Sequence, residues 1–255
     1  MFEIIILLLS GIGAGIVTGL VGASAVVVAA PLLIIFLDYP AYVAIGIALS
    51  IDVFASFFAT IVYYKHGNLK IRQSLLLLIP ALIAVVVASY FSKSIPSANL
   101  GFITGFGTIL GGILITKKKN DLPEVDDIKF FKKYRTLSII LIGLLIGTIA
   151  GVFGAGGGIM ILLALTLVLN YSTHKAIGTS VFLMIFIALF GGISHYVNMP
   201  FSLSALFIGG AGGILGALGA SKIANITKEK NLKIIVGVVV VTLGALLMLK
   251  NIPFL

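Results

Sequence analysis

Long apolar runs separated by short polar stretches organise the chain. Five runs fall in the first part, roughly at 2–21, 24–37, 40–64, 72–92 and 98–116. Five more follow near 136–153, 156–169, 173–197, 202–221 and 233–250. Most reach the roughly 20 residues that cross a bilayer as a helix. The runs are continuously apolar rather than alternating with polar residues, which argues for helices and against barrel strands. The second run of each set holds only about 14 residues, or roughly 21 Å at helical rise, short of a ~30 Å hydrocarbon core. The first two runs of each set therefore read as a hairpin that either spans fully or dips to mid-membrane and returns.

The two sets are copies of one another. Shifting the sequence by 132 positions aligns it with itself without a gap. Gly11, Gly15, Gly19, Gly22 and Ala23 then fall on Gly143, Gly147, Gly151, Gly154 and Ala155. Ala44-Ile45-Gly46 falls on Ala176-Ile177-Gly178, and Asn99-Leu100 on Asn231-Leu232. Over 11–116 there are 23 identities, seven of them glycine, and apolar composition alone does not produce glycine matches. The organisation expected is a first membrane repeat (1–116), a linker (117–135) and a second membrane repeat (136–255).

Composition sharpens the class. The chain is 60% hydrophobic and 10% charged, with a mean hydropathy of +1.25. That is too little charge to coat a water-facing domain, which carries about 25%. The net charge of +9 does not point to nucleic acid, because the basic residues sit in short loops between apolar runs. If the loops at 65–72, 117–135, 174–175 and 222–233 face the cytoplasm, they hold 15 of the 17 Lys and Arg residues, leaving only Lys93 and Lys250 outside. This bias orients the chain with both termini outside the cell membrane. Five segments per half then turn the second half upside down, giving inverted repeats of the kind secondary transporters use. Met1–Leu20 lacks a basic leading region and a small-residue cleavage site, so it reads as a retained membrane segment. The absence of Cys excludes disulfides and thiolate chemistry.

The hairpin tips carry the candidate chemistry. They read Gly22-Ala23-Ser24 and Gly154-Ala155-Gly156-Gly157-Gly158. Spacings of four between small residues (Gly15/Gly19, Gly147/Gly151) are accounted for by close helix packing. Three consecutive glycines suit a break in the helix, with a new helix expected from Ile159. Free amides and a positive dipole end at such a start can hold an anion without a charged side chain.

These features resemble the TauE/SafE family, the sulfite exporter-like or TSUP permeases. The resemblance rests on the repeated glycine-rich hairpin, on Gly151-Val152-Phe153-Gly154-Ala155-Gly156-Gly157-Gly158, and on Ala176-x-Gly178-Thr179-Ser180, and it covers essentially the whole chain. It implies a permease for small anions, chiefly sulfite, sulfonates and other organosulfur compounds. The first half departs from the pattern: Ser24-Ala25-Val26 stands for the three glycines and Ile47-Ala48 for Thr-Ser, while Pro31 and Leu33 remain. The substrate-binding candidates are Gly22, Ala23, Ser24, Gly154, Ala155, Gly156, Gly157, Gly158, Thr179 and Ser180.

Asp52 lies mid-way along an apolar run, where a charge costs several kcal/mol by insertion scales, about 2.5–3.5. Ser56 and Thr60 follow at helical spacing and form one polar stripe with it. Their counterparts under the 132-residue shift are Met184, Ala188 and Gly192, so the stripe belongs to one half alone. Two readings stay open: a neutral Asp hydrogen-bonded to a neighbouring helix, or an ion-coupling relay of Asp52, Ser56 and Thr60 carrying a proton or cation. Thr179 and Ser180 either bond their own backbone or donate to an anion. Tyr63, Tyr64 and Tyr196 read as interfacial anchors. His195 is a lone candidate for titration, and His66 and His174 read as cytoplasmic loop residues. Three scattered histidines make no metal site.

The expected fold is an all-α polytopic membrane protein. The expected function is a secondary transporter for a small anion, working by alternating access. The alternatives are a passive anion channel, or a transporter for a different small organic anion. An intramembrane enzyme would need a nucleophile–base pair or clustered ligands, and neither is present. No Gly-x4-Gly-Lys-Ser/Thr loop indicates ATP hydrolysis. No cofactor or nucleic acid is called for; membrane lipid and a small anion are the expected partners, with homo-oligomerisation open.

Overall fold

A computed structural model describes residues 1–116, 135–154, 157–169, 171–197, 203–226 and 229–251. These residues are mostly helical, with no strand among them. The first half holds α1 (Phe2–Val21), α2 (Val26–Leu37), α3 (Ala41–Lys65), α4 (Ile71–Ser92) and α5 (Ser97–Thr116). The second holds α6 (Arg135–Phe153), α7 (Gly157–Leu163) running into a π-helical turn at Ala164–Val168, α8 (Thr173–Tyr196), α9 (Leu203–Ile226) and α10 (Glu229–Lys250). Linker residues 117–134 lie outside the described residues. Six helices (α1, α3, α4, α6, α8 and α9) are long and apolar enough to cross a membrane. Large apolar side chains such as Ile79, Ile83, Phe91, Phe207 and Leu215 stand more than half exposed around the outside. A lipid-facing surface needs that, and a water-facing one could not tolerate it. The protein is a multi-pass membrane protein.

Each half stops its first helix in the same way. Gly22 and Gly154, 132 residues apart, both take a left-handed backbone (φ 67° and 61°) and end α1 and α6. The Gly22 amide donates to the Thr18 carbonyl and the Gly154 amide to that of Ala150, closing each helix with a glycine cap. The chain then turns back. In the first hairpin, the Tyr39 hydroxyl donates to Glu3 Oε1 at 2.7 Å, so the end of α2 returns to the start of α1. At 12 residues α2 is about 18 Å long, too short to span. The first hairpin is thus the returning kind.

The halves interlock rather than sit side by side. α1 packs most extensively against α9, and α4 against α6, which are the same pairing with the halves exchanged. Both seams run parallel and are lined by glycine. A Cβ on Gly11, Gly15 or Gly19 would strike backbone of α9 at Gly209, Gly213 and Ala217; one on Gly143, Gly147 or Gly151 would strike Leu77, Ala81 and Val85 of α4. Backbone-to-backbone approach of this kind leaves no room for a side chain. Equivalent helices meet head to tail instead. Gly178 of α8 lies against Tyr63 of α3, whereas Gly192 lies against Leu49 and Ser50, so α3 and α8 run antiparallel. Gly105 against Met248 and Gly112 against Val241 give the same relation for α5 and α10.

Three sequence expectations change. The helix after the second tip begins at Gly157 rather than Ile159. Packing also requires glycine at 157 and 158: a Cβ on Gly157 would lie 2.8 Å from the Ala150 Cβ, and one on Gly158 2.5 Å from the Ser24 amide nitrogen. Tyr63 is no interfacial anchor either. It is fully buried, and its hydroxyl donates to the Gly19 carbonyl at 2.9 Å. Tyr64 beside it is 72% exposed, as an anchor would be. His174 lies in the first turn of α8 rather than in a loop.

Candidate functional site at the crossed hairpin tips

The two tips touch each other. Gly158 at the start of α7 packs on Gly22, Ala23 and Ser24 of the first tip. Gly154 packs on Val26 of α2 and Ile45 of α3, while Gly22 packs on Ile177 and Ser180 of α8. Ile45 and Ile177 are equivalents, so each tip rests on the third helix of the opposite half. Four helix ends converge here: the C-termini of α1 and α6 and the N-termini of α2 and α7. Their dipoles bring both signs of partial charge to one buried place.

Asp52 of α3 faces this junction and is completely buried. The Ser24 hydroxyl lies 2.6 Å from Asp52 Oδ2 and donates to it; the Ser56 hydroxyl donates to Oδ1 at 2.9 Å. Ser24 Oγ also lies 3.3 Å from the Gly154 carbonyl oxygen and accepts from the Val26 amide at 3.3 Å. One serine therefore ties α3, the first tip and the second tip together. The Ala25 amide and the Thr18 hydroxyl face the same carboxyl. Among the described residues, no basic side chain pairs with Asp52; an ion pair, Lys250–Asp38, lies at the periphery.

The sequence-derived candidates divide. Gly22, Ala23, Ser24, Gly154, Gly157, Gly158, Ser180, Asp52 and Ser56 come together around the junction. Ser180 joins from the first-tip side, its hydroxyl 3.2 Å from the Gly22 carbonyl and 2.8 Å from that of Ile177, to which it donates. Thr179 points elsewhere and accepts from the Lys70 amide at 3.1 Å, bracing the α3–α4 loop. Thr60 continues the stripe by donating to the Ser56 carbonyl at 2.7 Å, without reaching the carboxyl. Ala155 and Gly156 lie outside the described residues.

Sequence reasoning missed Thr18. It is fully buried, and its hydroxyl closes no hydrogen bond of its own. Its counterpart under the 132-residue shift is Ala150, so the test that singled out Asp52 against Met184 could have found it.

A second polar cluster lies at the end of the bundle that carries the N-terminus. His195 of α8 is buried and tilts over the Tyr42 ring with centroids 4.2 Å apart. Its Nδ1 contacts the Tyr42 carbonyl at 3.2 Å, and Ser50 bonds the Tyr196 hydroxyl at 3.1 Å. At the other end Tyr171 donates to the Lys70 carbonyl, and Asn68 donates to Asn225 at 2.8 Å. Cross-half hydrogen bonds thus tie the two halves together at both ends of α3. No metal-binding group of His, Cys, Asp and Glu occurs among the described residues.

Comparison with known proteins gives the family. Residues 7–247 match the model for "Sulfite exporter TauE/SafE". The probable membrane transporter protein YunE of Bacillus subtilis (strain 168) is 25% identical, over 97% of this chain and 98% of its own length. The probable membrane transporter protein YdhB of the same organism is 25% identical, over 86% of this chain and 89% of its own. A probable membrane transporter protein of Xylella fastidiosa is 24% identical over 87% of each. No solved structure matches. With its duplicated glycine-rich hairpins and a match running almost from end to end, the chain belongs to the sulfite exporter TauE/SafE family of membrane proteins.

Proposed function

We propose that this membrane transporter is a secondary transporter of a small anion, moved by alternating access between two inverted halves. Sulfite, a sulfonate or another organosulfur anion is the substrate class that the family name and the glycine-rich tips favour. The reading takes the second tip as the anion's seat, where the glycine amides at the start of α7 form a helix N-terminus. It takes Asp52, with Ser56 and Thr60 along its helix, as the ion-coupling element. Head-to-tail packing of α3 on α8 and of α5 on α10 supports the inverted relation. With it goes a cell-membrane location with both termini outside, the orientation that the basic loops favour.

The observation that carries the proposal is the buried Asp52 at the contact between the tips, bonded to Ser24 of one tip, which in turn reaches the Gly154 carbonyl of the other. A charge change at that carboxyl alters the bond that joins the halves, which is what coupling needs. Purified protein in liposomes, offered sulfite and sulfonates under an imposed cation or pH gradient, should accumulate one of them against its own gradient. Asp52→Asn should abolish that accumulation while the protein still assembles. Flux that only equilibrates across the membrane would mean a passive channel, and unchanged accumulation in Asp52→Asn would remove the relay.

A further inference from the structure

Asp52 poses a physical problem that its neighbours answer. A carboxylate with no basic partner, held in a membrane core, must be neutralised by something that binds there. The oxygens around it form a set. Besides its own Oδ1 and Oδ2, the carboxyl is faced by the hydroxyls of Ser24, Ser56 and Thr18, and Ser24 draws in the Gly154 carbonyl oxygen. Six oxygens from five residues thus meet, contributed by α1, α3 and both tips. All the side chains are fully buried.

The second half shows that the fold does not require them. The same hairpin junction is built there with Ala150, Met184 and Ala188 in place of Thr18, Asp52 and Ser56. Met184 is fully buried and sits against Gly157 without any polar partner. The oxygen cluster is therefore an addition to the scaffold. A bound proton needs a single acceptor, and the cluster offers more oxygens than that. The Thr18 hydroxyl is buried beside the carboxyl and makes no hydrogen bond of full geometry.

We propose that Asp52, Ser24, Ser56, Thr18 and the Gly154 carbonyl form a binding site for one Na+ ion. Hard cations take oxygen ligands, and Na+ has nearly the radius of Ca2+, whose ligands lie at about 2.3–2.6 Å. Neighbouring ligands in an octahedral shell of that radius stand about 3.4 Å apart. Ser24 Oγ and the Gly154 oxygen are 3.3 Å apart; the Ser24 and Ser56 hydroxyls, 2.6 and 2.9 Å from the carboxyl, need open by less than an ångström. A single carboxylate matches a single positive charge; a divalent ion would leave net charge in the lipid. Two helix C-termini, those of α1 and α6, bring carbonyl ends to the junction beside the N-termini of α2 and α7, and such C-terminal ends coordinate ions in broken-helix transporters. Because the set includes the Gly154 carbonyl, Na+ would bridge the two halves across the tip contact. This names the coupling ion of the transporter proposed above, and its role in transport rests on that reading. Binding itself does not.

The test is Na+ binding by the purified full chain in detergent, without any anion substrate. Thermal unfolding at pH 8 is followed in NaCl, KCl and choline chloride at constant ionic strength. Na+ alone should raise Tm by several degrees in a saturable way. Thr18→Val should move the half-saturating Na+ concentration up roughly tenfold while leaving Tm in choline near that of the wild type. Asp52→Asn should lose the Na+ effect; Ser56→Ala, a milder change, should weaken it if Asp52→Asn does not fold. Equal Tm in the three salts, equal stabilisation by Na+ and K+, or a Na+ effect that survives in Asp52→Asn would overturn the site. Stabilisation by acid and not by Na+ would assign the pocket to a proton and also overturn it. Anion flux without Na+ binding would sink the ion site alone, and Na+ binding without anion flux would sink the transporter reading alone.

Discussion

The two hairpin tips share a backbone and differ in chemistry. Each ends its first helix on a left-handed glycine, lies against an isoleucine of the opposite half, and sends a first helix down a glycine seam on the other half's fourth helix. Around the first tip stand Thr18, Ser24, Asp52 and Ser56; at the matching positions stand Ala150, Gly156, Met184 and Ala188. Duplication has kept what close packing forces and released what it does not. Where side chains differ between the copies, the reason lies in function or in an asymmetric contact, and the structure separates these two causes. Val26 and Gly158 are matching positions, yet Gly158 has no room for a side chain because the first tip's backbone passes over it. The Asp52–Met184 difference sets a carboxyl bonded to Ser24 and Ser56 against a fully buried thioether.

The sharpest way to break the comparison is to move the charge across. Met184→Asp would bury a carboxylate among Ala150, Gly157 and Ala188, none of which has a hydroxyl to meet it. It should cost about 3–5 kcal/mol, read as a collapse of monodisperse protein or a large fall in Tm. If it is tolerated as well as Asp52 is in the first half, the halves are chemically equivalent and the contrast fails. Gly158→Ala comes next. Its Cβ would press on the Ser24 amide nitrogen and the Ala23 backbone, 2.5 and 2.8 Å away. Forcing the tips apart should cost about 1–3 kcal/mol in thermal unfolding and reduce flux more than stability alone explains. The smallest effect is expected at Tyr63→Phe, which removes only the hydroxyl bonded to the Gly19 carbonyl. A loss of about 1 kcal/mol is expected, with the ring packing intact.

Much of this architecture was legible beforehand, for reasons that can be named. Apolar runs long enough to cross lipid define their own helices, and the 132-residue shift pairs them correctly: α1 with α6 and α3 with α8 both fall where the copy predicts. Asp52 stood out because a charge in such a run is costly. Its partner Ser24 lies 28 residues away and could be found only as a departure from the glycine pattern, not as a bond. Depth in the membrane can be read from sequence, but the direction a side chain faces cannot. That is why Tyr63 passed for an anchor although it points inward, and why Thr179, adjacent to Ser180, turned out to brace the Lys70 amide instead of the tips. Thr18 was passed over because a single hydroxyl in an apolar helix can satisfy itself on its own backbone, and this one does not.

The parallel glycine seams have a consequence for how the molecule is made. The groove on α1 is cut to receive α9, and the ridge partner of α4 is α6, so neither repeat contains the helix that completes it. A ribosome delivers α1 to the bilayer long before α9 exists, and until then that groove can be filled only by lipid. Maturation is therefore a late zippering event. A chain truncated ahead of residue 203 would insert its early helices and still hold an open furrow, a natural handle for membrane quality control.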